Sequence, residues 1–292
     1  MNEKYLTTVV QSIKYLYTLD VWCQMHVTEF FEHHTVFRYE EFASFMQSQG
    51  IDRPESWRQL LNYHKKAGNL IHIKKLLYAV KQKKDGWVDP FLIASKATPD
   101  AIISHHSALE LHGLAYSTFT QIHYLTLRPI DSFIYENQMF RSVKFPKELI
   151  KINSTEFGLE TFERQDMLVK LTGIERTVVD ILDRSDLGGG WEEIWRSLDN
   201  ITYLDLSKLI EYTLMLNNST VVAKVGFFLD QRPVHFRGES KYIDELLQHI
   251  PKKPHYMNRS RREGGKYIKK WELIVPEEII RKTWEEPSGE DI

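Results

Sequence analysis

Cysteine is almost missing from this chain. Cys23 stands alone among 292 residues, so an internal disulfide is excluded, and such usage fits a reducing compartment with the cytosol as default. No stretch approaches the roughly 18 apolar residues that a membrane helix needs, and the opening Met1-Asn2-Glu3-Lys4 lacks the basic start and apolar run of a secretory signal. Net charge is small, 38 Lys and Arg against 40 Asp and Glu, which excludes a globally basic binder but not a local basic patch. Catalytic signatures are wanting too. There is no Gly-x-Ser-x-Gly elbow, no Cys–His nucleophile pair and no Cys/His set at zinc spacing. The run Gly188-Gly189-Gly190 lacks the Gly-Lys-Ser/Thr of a phosphate-binding loop and reads as a flexible turn. No catalytic residue, cofactor or metal is expected, and no membrane association.

What is present is ordinary globular material, 42% hydrophobic and 27% charged, at a length that suggests two domains. Charge is unevenly spread. Residues 1–88 hold 12 Lys/Arg against 9 Asp/Glu, and the remainder holds 26 against 31. Between Arg58 and Lys84 stand eight basic residues and no acidic one. Apolar spacing predicts one or two helices over 5–19 and 21–33, then a helix over Tyr39–Gln47 with a stop at Gly50.

The next helix is the informative one. Asp52 and Glu55 have capping-box spacing, Pro54 suits a first turn, and Gly68 suits the end. Trp57, Leu60, Leu61 and His64 fall on one apolar face. Ser56, Arg58, Gln59, Asn62, Tyr63, Lys65 and Lys66 lie on the others. Amides can bond adenine in bidentate fashion, arginine and lysine can bond guanine, and hydroxyls and cations hold phosphates. Leu70–Val80 then reads as a two-stranded hairpin tipped by Lys74 and Lys75. Helix, helix, basic helix and basic-tipped hairpin describe a winged helix-turn-helix over residues 1–88, with duplex DNA as partner. The competing reading is a small helical domain whose lysines are merely solvated and which docks a protein.

The charged segment Lys81–Pro90 marks the domain boundary, and residues 89–292 read as a larger mixed α+β domain. Its expected helices are Ala101–Leu114, Glu175–Leu182, Trp191–Leu198, Leu206–Leu216, Val221–Leu229 and Tyr242–His249. Its expected strands are Ile122–Leu127, Phe140–Phe145, Leu168–Thr172 and Lys270–Val275. The acidic tail Trp284–Ile292 reads as disordered.

Two phrases in this second domain carry a resemblance. Ser107-Ala108-Leu109-Glu110-Leu111-His112-Gly113-Leu114 and Glu175-Arg176-Thr177-Val178-Val179-Asp180-Ile181-Leu182-Asp183-Arg184 resemble stretches of AbiEi-type antitoxins, the antitoxin half of type IV abortive-infection toxin–antitoxin pairs. The resemblance continues through Ser185–Glu193, returns at Lys270-Trp271-Glu272-Leu273-Ile274-Val275-Pro276, and spans most of residues 20–276. It implies a winged-helix autorepressor that binds inverted repeats in its own promoter. It also implies a second domain that counters a nucleotidyltransferase toxin without a tight complex. Wings of that family often carry a glycine after the basic pair; here Leu76 stands there, and a non-glycine disfavours a turn that needs φ > 0.

Other constellations have two readings each. His105, His106, Glu110 and His112 suggest a metal, but only His106 and Glu110 share a helical face; a core-packed helix accounts for them better. Asp180 and Asp183, beside Glu175, Arg176 and Arg184, suggest paired carboxylates, or a structural ion-pair network. Glu239-Ser240-Lys241 with Asp230 is a faint nuclease-like trace. A metal-dependent nuclease or nucleotidyltransferase with a DNA-targeting module is therefore an alternative function, as is an interaction scaffold. Lys252–Lys270 holds eight basic residues against Glu263 alone, and reads equally as a nucleic-acid contact or a solvated loop.

Overall fold

The computed structural model describes residues 25–51, 54–81, 87–232, 240–258, 264–282 and 284. The expected helix over 5–19, Asp52 of the capping box, Glu239 and residues 285–292 of the tail lie outside them. The chain is a mixed α+β protein that divides into two compact units, residues 1–99 with 163–169 and residues 100–162 with 170–292.

In the first unit residues 25–33 are helical (α1). There follow β1 (Val36–Arg38), α2 (Tyr39–Ser48), α3 (Pro54–Lys66), β2 (Leu70–Lys74), β3 (Leu77–Val80) and α4 (Pro90–Ser95). The strands form an antiparallel sheet in the order β1-β3-β2. Both glycines expected to stop helices do so. Gly50 and Gly68 sit at φ 76° and 78°. Behind them Ile51 N donates to Met46 O (3.0 Å) and Asn69 N to His64 O (2.9 Å), the bonds of a Schellman ending. The core is largely aromatic: Phe30 lies 5.0–5.3 Å from the rings of Phe37, Phe42 and Phe45, and Trp57, Leu61 and Leu70 close it.

This unit runs to Pro99, whereas the sequence reading sets a boundary after residue 88. Asp89, though charged, is buried. Its carboxylate accepts from Phe91 N (2.9 Å) to cap α4 and takes an ion pair from Arg164. Leu92, Ile93 and Ala94 are buried, and Arg38 Nη1 donates to the carbonyls of Lys96 and Ala97. Packing after residue 88 thus outweighs the charge before it.

A mixed sheet in the order β6-β7-β5-β4-β9-β8 is built from β4 (Ile102–Ile103), β5 (Gln121–Thr126), β6 (Phe133–Tyr135), β7 (Gln138–Lys144), β8 (Leu159–Arg164) and β9 (Met167–Thr172), all in the second unit save residues 163–169, which count with the first. The helices of the second unit are α5 (His106–Leu111), α6 (Lys147–Lys151), α7 (Ile174–Asp183), α8 (Trp191–Asp199), α9 (Leu206–Met215), α10 (Ser219–Asp230), α11 (Ser240–Leu247) and α12 (Glu277–Arg281). A small sheet, order β10-β12-β11, is built from β10 (His255–Tyr256), β11 (Lys266–Ile268) and β12 (Leu273–Val275).

Two expected elements change. The helix expected over Ala101–Leu114 shrinks to α5, because Ile102 and Ile103 pair with Leu125 and Tyr124 of β5, and His105 takes φ 55°. The strand expected over Lys270–Val275 keeps only β12. Lys269–Trp271 form a 3₁₀ turn that drives the Trp271 ring onto Gly226 of α10, where any Cβ would stand 2.1 Å from that ring.

Candidate nucleic-acid interface

Helix α3 separates its side chains cleanly. Trp57 and Leu61 are buried and Leu60 and His64 half-buried, while Ser56, Arg58, Gln59, Asn62, Tyr63, Lys65 and Lys66 are exposed. Tyr63 is 57% exposed. All seven side chains singled out on this helix therefore stand in solvent. The Arg58 guanidinium lies 5.9 Å from the Tyr39 ring centroid, a cation–π contact that steadies a long side chain.

The hairpin differs from its expected form. Lys74 is the last residue of β2, so the turn is Lys75-Leu76. Leu76 sits at φ 65°, where a side chain is strained and glycine is preferred. Its carbonyl accepts from Tyr39 N (2.9 Å), which ties the turn to the start of α2. Leu77, next to it, is fully buried and pairs with Arg38 of β1. The register also slips between His72 and Lys74, a bulge of the kind that tightens local twist. Lys75 is exposed, whereas Lys74 is half-buried. Burial, and then the Arg38 charge, push the Lys74 ammonium down to about 8.

Arg38 and Tyr39 escape a reading of the sequence. A three-residue strand shows no alternation to detect, and β1 exists because β3, some forty residues on, supplies its partner.

The constellations of the second unit are turned inward. His106 stacks on Phe119 (3.8 Å) and faces Glu110 at Nδ1 (2.9 Å) and Glu193 at Nε2 (3.0 Å). Burial pushes the Glu193 carboxyl up, but hydrogen bonds from Ser117 and His106 hold it below its usual range. His112 bonds the Thr172 carbonyl (2.8 Å) and His105 the Ser104 hydroxyl (2.9 Å), so these residues do not converge. Among the described residues no three His, Cys, Asp or Glu side chains gather as metal ligands would. Asp180 accepts from Tyr212 Oη (2.6 Å) and lies 3.7 Å from Arg176 Nε; burial raises its carboxyl to about 6. Arg176 also donates to the carbonyls of Thr155 (2.8 Å) and Phe157 (2.6 Å). Asp230 accepts from Lys270 Nζ (2.8 Å) and Trp271 Nε1 (2.7 Å). The triple glycine is a packed turn: Gly189 and Gly190 take φ 88° and 91°, and a Cβ on Gly189 would meet Phe119 at 2.6 Å.

Among the described residues no helix is long and apolar enough to cross a membrane. No protein-family model matches the chain, and no curated protein matches it. Among solved structures the chain is similar to the RV2827C protein from Mycobacterium tuberculosis, with a TM-score of 0.55 and 14% identity over 89% of this chain and 94% of that one. At that identity the likeness concerns the fold: the mixed α+β architecture described above extends through nearly the whole of both chains.

Proposed function

We propose that this protein is a DNA-binding transcriptional autorepressor, the cytoplasmic antitoxin of a type IV pair whose toxin is a nucleotidyltransferase. Its first unit would be a winged helix-turn-helix. The order helix, strand, helix, helix, strand, strand, with the sheet order β1-β3-β2, supports that reading. The observation that carries it is α3 itself. An acid-free surface of amide, hydroxyl, phenol and cationic groups faces solvent from Ser56 to Lys66 while Trp57 and Leu61 anchor the opposite side. In this reading α3 enters the major groove and Lys74 and Lys75 hold flanking phosphates. The antitoxin role rests on the resemblance of Ser107–Leu114 and Glu175–Arg184 to AbiEi-type antitoxins. Cleavage is the weaker reading, because Asp180 and Asp230 are engaged by Arg176, Tyr212, Lys270 and Trp271.

Mobility shifts on the DNA upstream of its own gene test the proposal. Gln59→Ala or Asn62→Ala should alter sequence preference, at about 1–3 kcal/mol per lost base contact. Lys74→Ala with Lys75→Ala should weaken all sequences alike and flatten the salt dependence by about one unit per lost phosphate contact. If both sets leave promoter binding intact, α3 is not the reading surface. The antitoxin half is tested by growth on co-expression with an adjacently encoded nucleotidyltransferase, and absence of rescue would remove it.

A further inference from the structure

The small sheet β10-β12-β11 carries a second arrangement, independent of α3. Its register aligns Tyr256 with Ile274 and Ile274 with Tyr267. Residues level with one another across strands point to the same face, so the three side chains form one row. The neighbouring row points the other way: Leu273 is fully buried, as is Val275 beyond it. The Tyr256–Ile274–Tyr267 row therefore faces outward, and the rings are 37% and 45% exposed. Two strand spacings set the tyrosines roughly 10 Å apart, room for two separate stacked planes.

Lys252 and Lys253 before β10 and Lys269 after β11 are exposed, whereas Lys266 is level with buried Val275 and leaves from the opposite face, and the Tyr267 hydroxyl donates to the Glu272 carboxylate (2.8 Å). Tyr256 and Ile274 of the row also line a cavity of about 180 Å³, with Asn258, Gly265, Glu277 and Glu278. Gly265 takes φ 110°, and a Cβ there would stand 2.8 Å from the Val275 carbonyl oxygen. A carboxylate-lined cavity repels phosphate and suits the amino edge of a base. Flat rings, exposed lysines in the adjoining loops and an acceptor-lined cavity match the parts of an unpaired polynucleotide. A paired duplex does not fit, since its base faces are hidden.

We propose that this face binds single-stranded nucleic acid. Bases stack on Tyr256 and Tyr267, phosphates run along Lys252, Lys253 and Lys269, and one base places its edge in the cavity. Ribose and deoxyribose strands share this chemistry.

Fluorescence anisotropy of the full chain carrying Lys74→Ala and Lys75→Ala, with a labelled ten-nucleotide RNA, the matching DNA strand and a duplex, tests it across a salt series. Both single strands should bind more tightly than the duplex. A preference for RNA identifies the 2′-hydroxyl as part of the ligand, and equal affinity assigns either strand. Tyr256→Ala with Tyr267→Ala should weaken single-strand binding at least tenfold, as expected for lost stacking. Tyr256→Phe with Tyr267→Phe should keep it within about twofold, because the ring face is retained. Lys252→Ala with Lys253→Ala should flatten the salt dependence. Unchanged thermal midpoints confirm that the variants fold. Equal binding by the alanine and parent proteins, or equal displacement by poly-glutamate in both, would overturn the proposal and leave only a cationic surface.

Discussion

The residue clusters singled out in the two units put their charged and titratable groups to different uses. In the first, hydrophobic and aromatic side chains fill the core, and the polar and cationic side chains of α3 stand in solvent. In the second, His106, Arg176, Asp180, Glu193 and Lys224 are all buried. Lys224 Nζ, for example, donates to the carbonyls of Leu182 (2.7 Å) and Asp183 (3.2 Å) at the end of α7, a cation placed where the helix dipole favours one. The lesson is that a cluster of chemically capable residues is not a site. The phrases richest in His, Asp and Arg are spent on holding helices together, whereas the plainer surface of α3 remains open to a partner.

The contrast can be broken most sharply at Arg176. Arg176→Met leaves the Asp180 carboxylate buried without its cation, and should cost about 3–5 kcal/mol. Urea unfolding would measure this, and promoter binding by the folded protein should be unchanged. A loss under about 1 kcal/mol would mean that the pair is not structural.

Next in size is a pH effect at His123. This residue is buried, its ring nitrogens find no hydrogen-bond partner among the described residues, and burial lowers it to about 4. A histidine depressed in the folded state costs nothing above its unfolded value near 6.5. Below that the unfolded chain takes up the proton first, so stability falls until pH reaches about 4. His123→Leu should remove up to about 3 kcal/mol of that acid loss and change little at pH 7.5. Asp180, raised to about 6, opposes it: its contribution is full below about 3.9 and is lost as pH rises through 6. Unfolding of the His123 variant followed from pH 7.5 to 4 should therefore show acid stabilisation where the parent is flatter. An acid loss equal to the parent's would place the sensitivity elsewhere.

On the outward side, if Lys74 holds phosphate as proposed, its value near 8 should make duplex binding fall several-fold between pH 7 and 9, as the ammonium loses its proton. Lys74→Arg stays charged through that range and should flatten the fall; identical profiles would take Lys74 out of the contact. The smallest effect is at the turn. Leu76→Gly relieves a left-handed backbone at the cost of a more flexible unfolded chain, so stability should rise by no more than about 1 kcal/mol while duplex affinity stays the same.

Periodicity made much of this legible. The α3 faces, the glycine stops at Gly50 and Gly68, the strands β5, β7 and β9, and helices α7 to α10 follow from which residues repeat at 3.6 or at 2. Those are local properties, and each segment carries its own. The rest depends on partners distant in sequence. Val36–Arg38 is a strand because Leu77–Ala79 pairs with it. Leu76 accepts φ 65° beside buried Leu77 and a carbonyl bonded to Tyr39. The helix before Gly113 is cut short because Ile102 and Ile103 complete a sheet with β5 and β9. The tyrosine row exists only in the register of three strands drawn from residues 255–275. By itself, then, the sequence determined the amphipathic segments, since a side chain's preference for water or core acts at once on its own helix or strand. Only the tertiary structure decided which charges were buried and which faced solvent, because burial is a property of what packs against a residue.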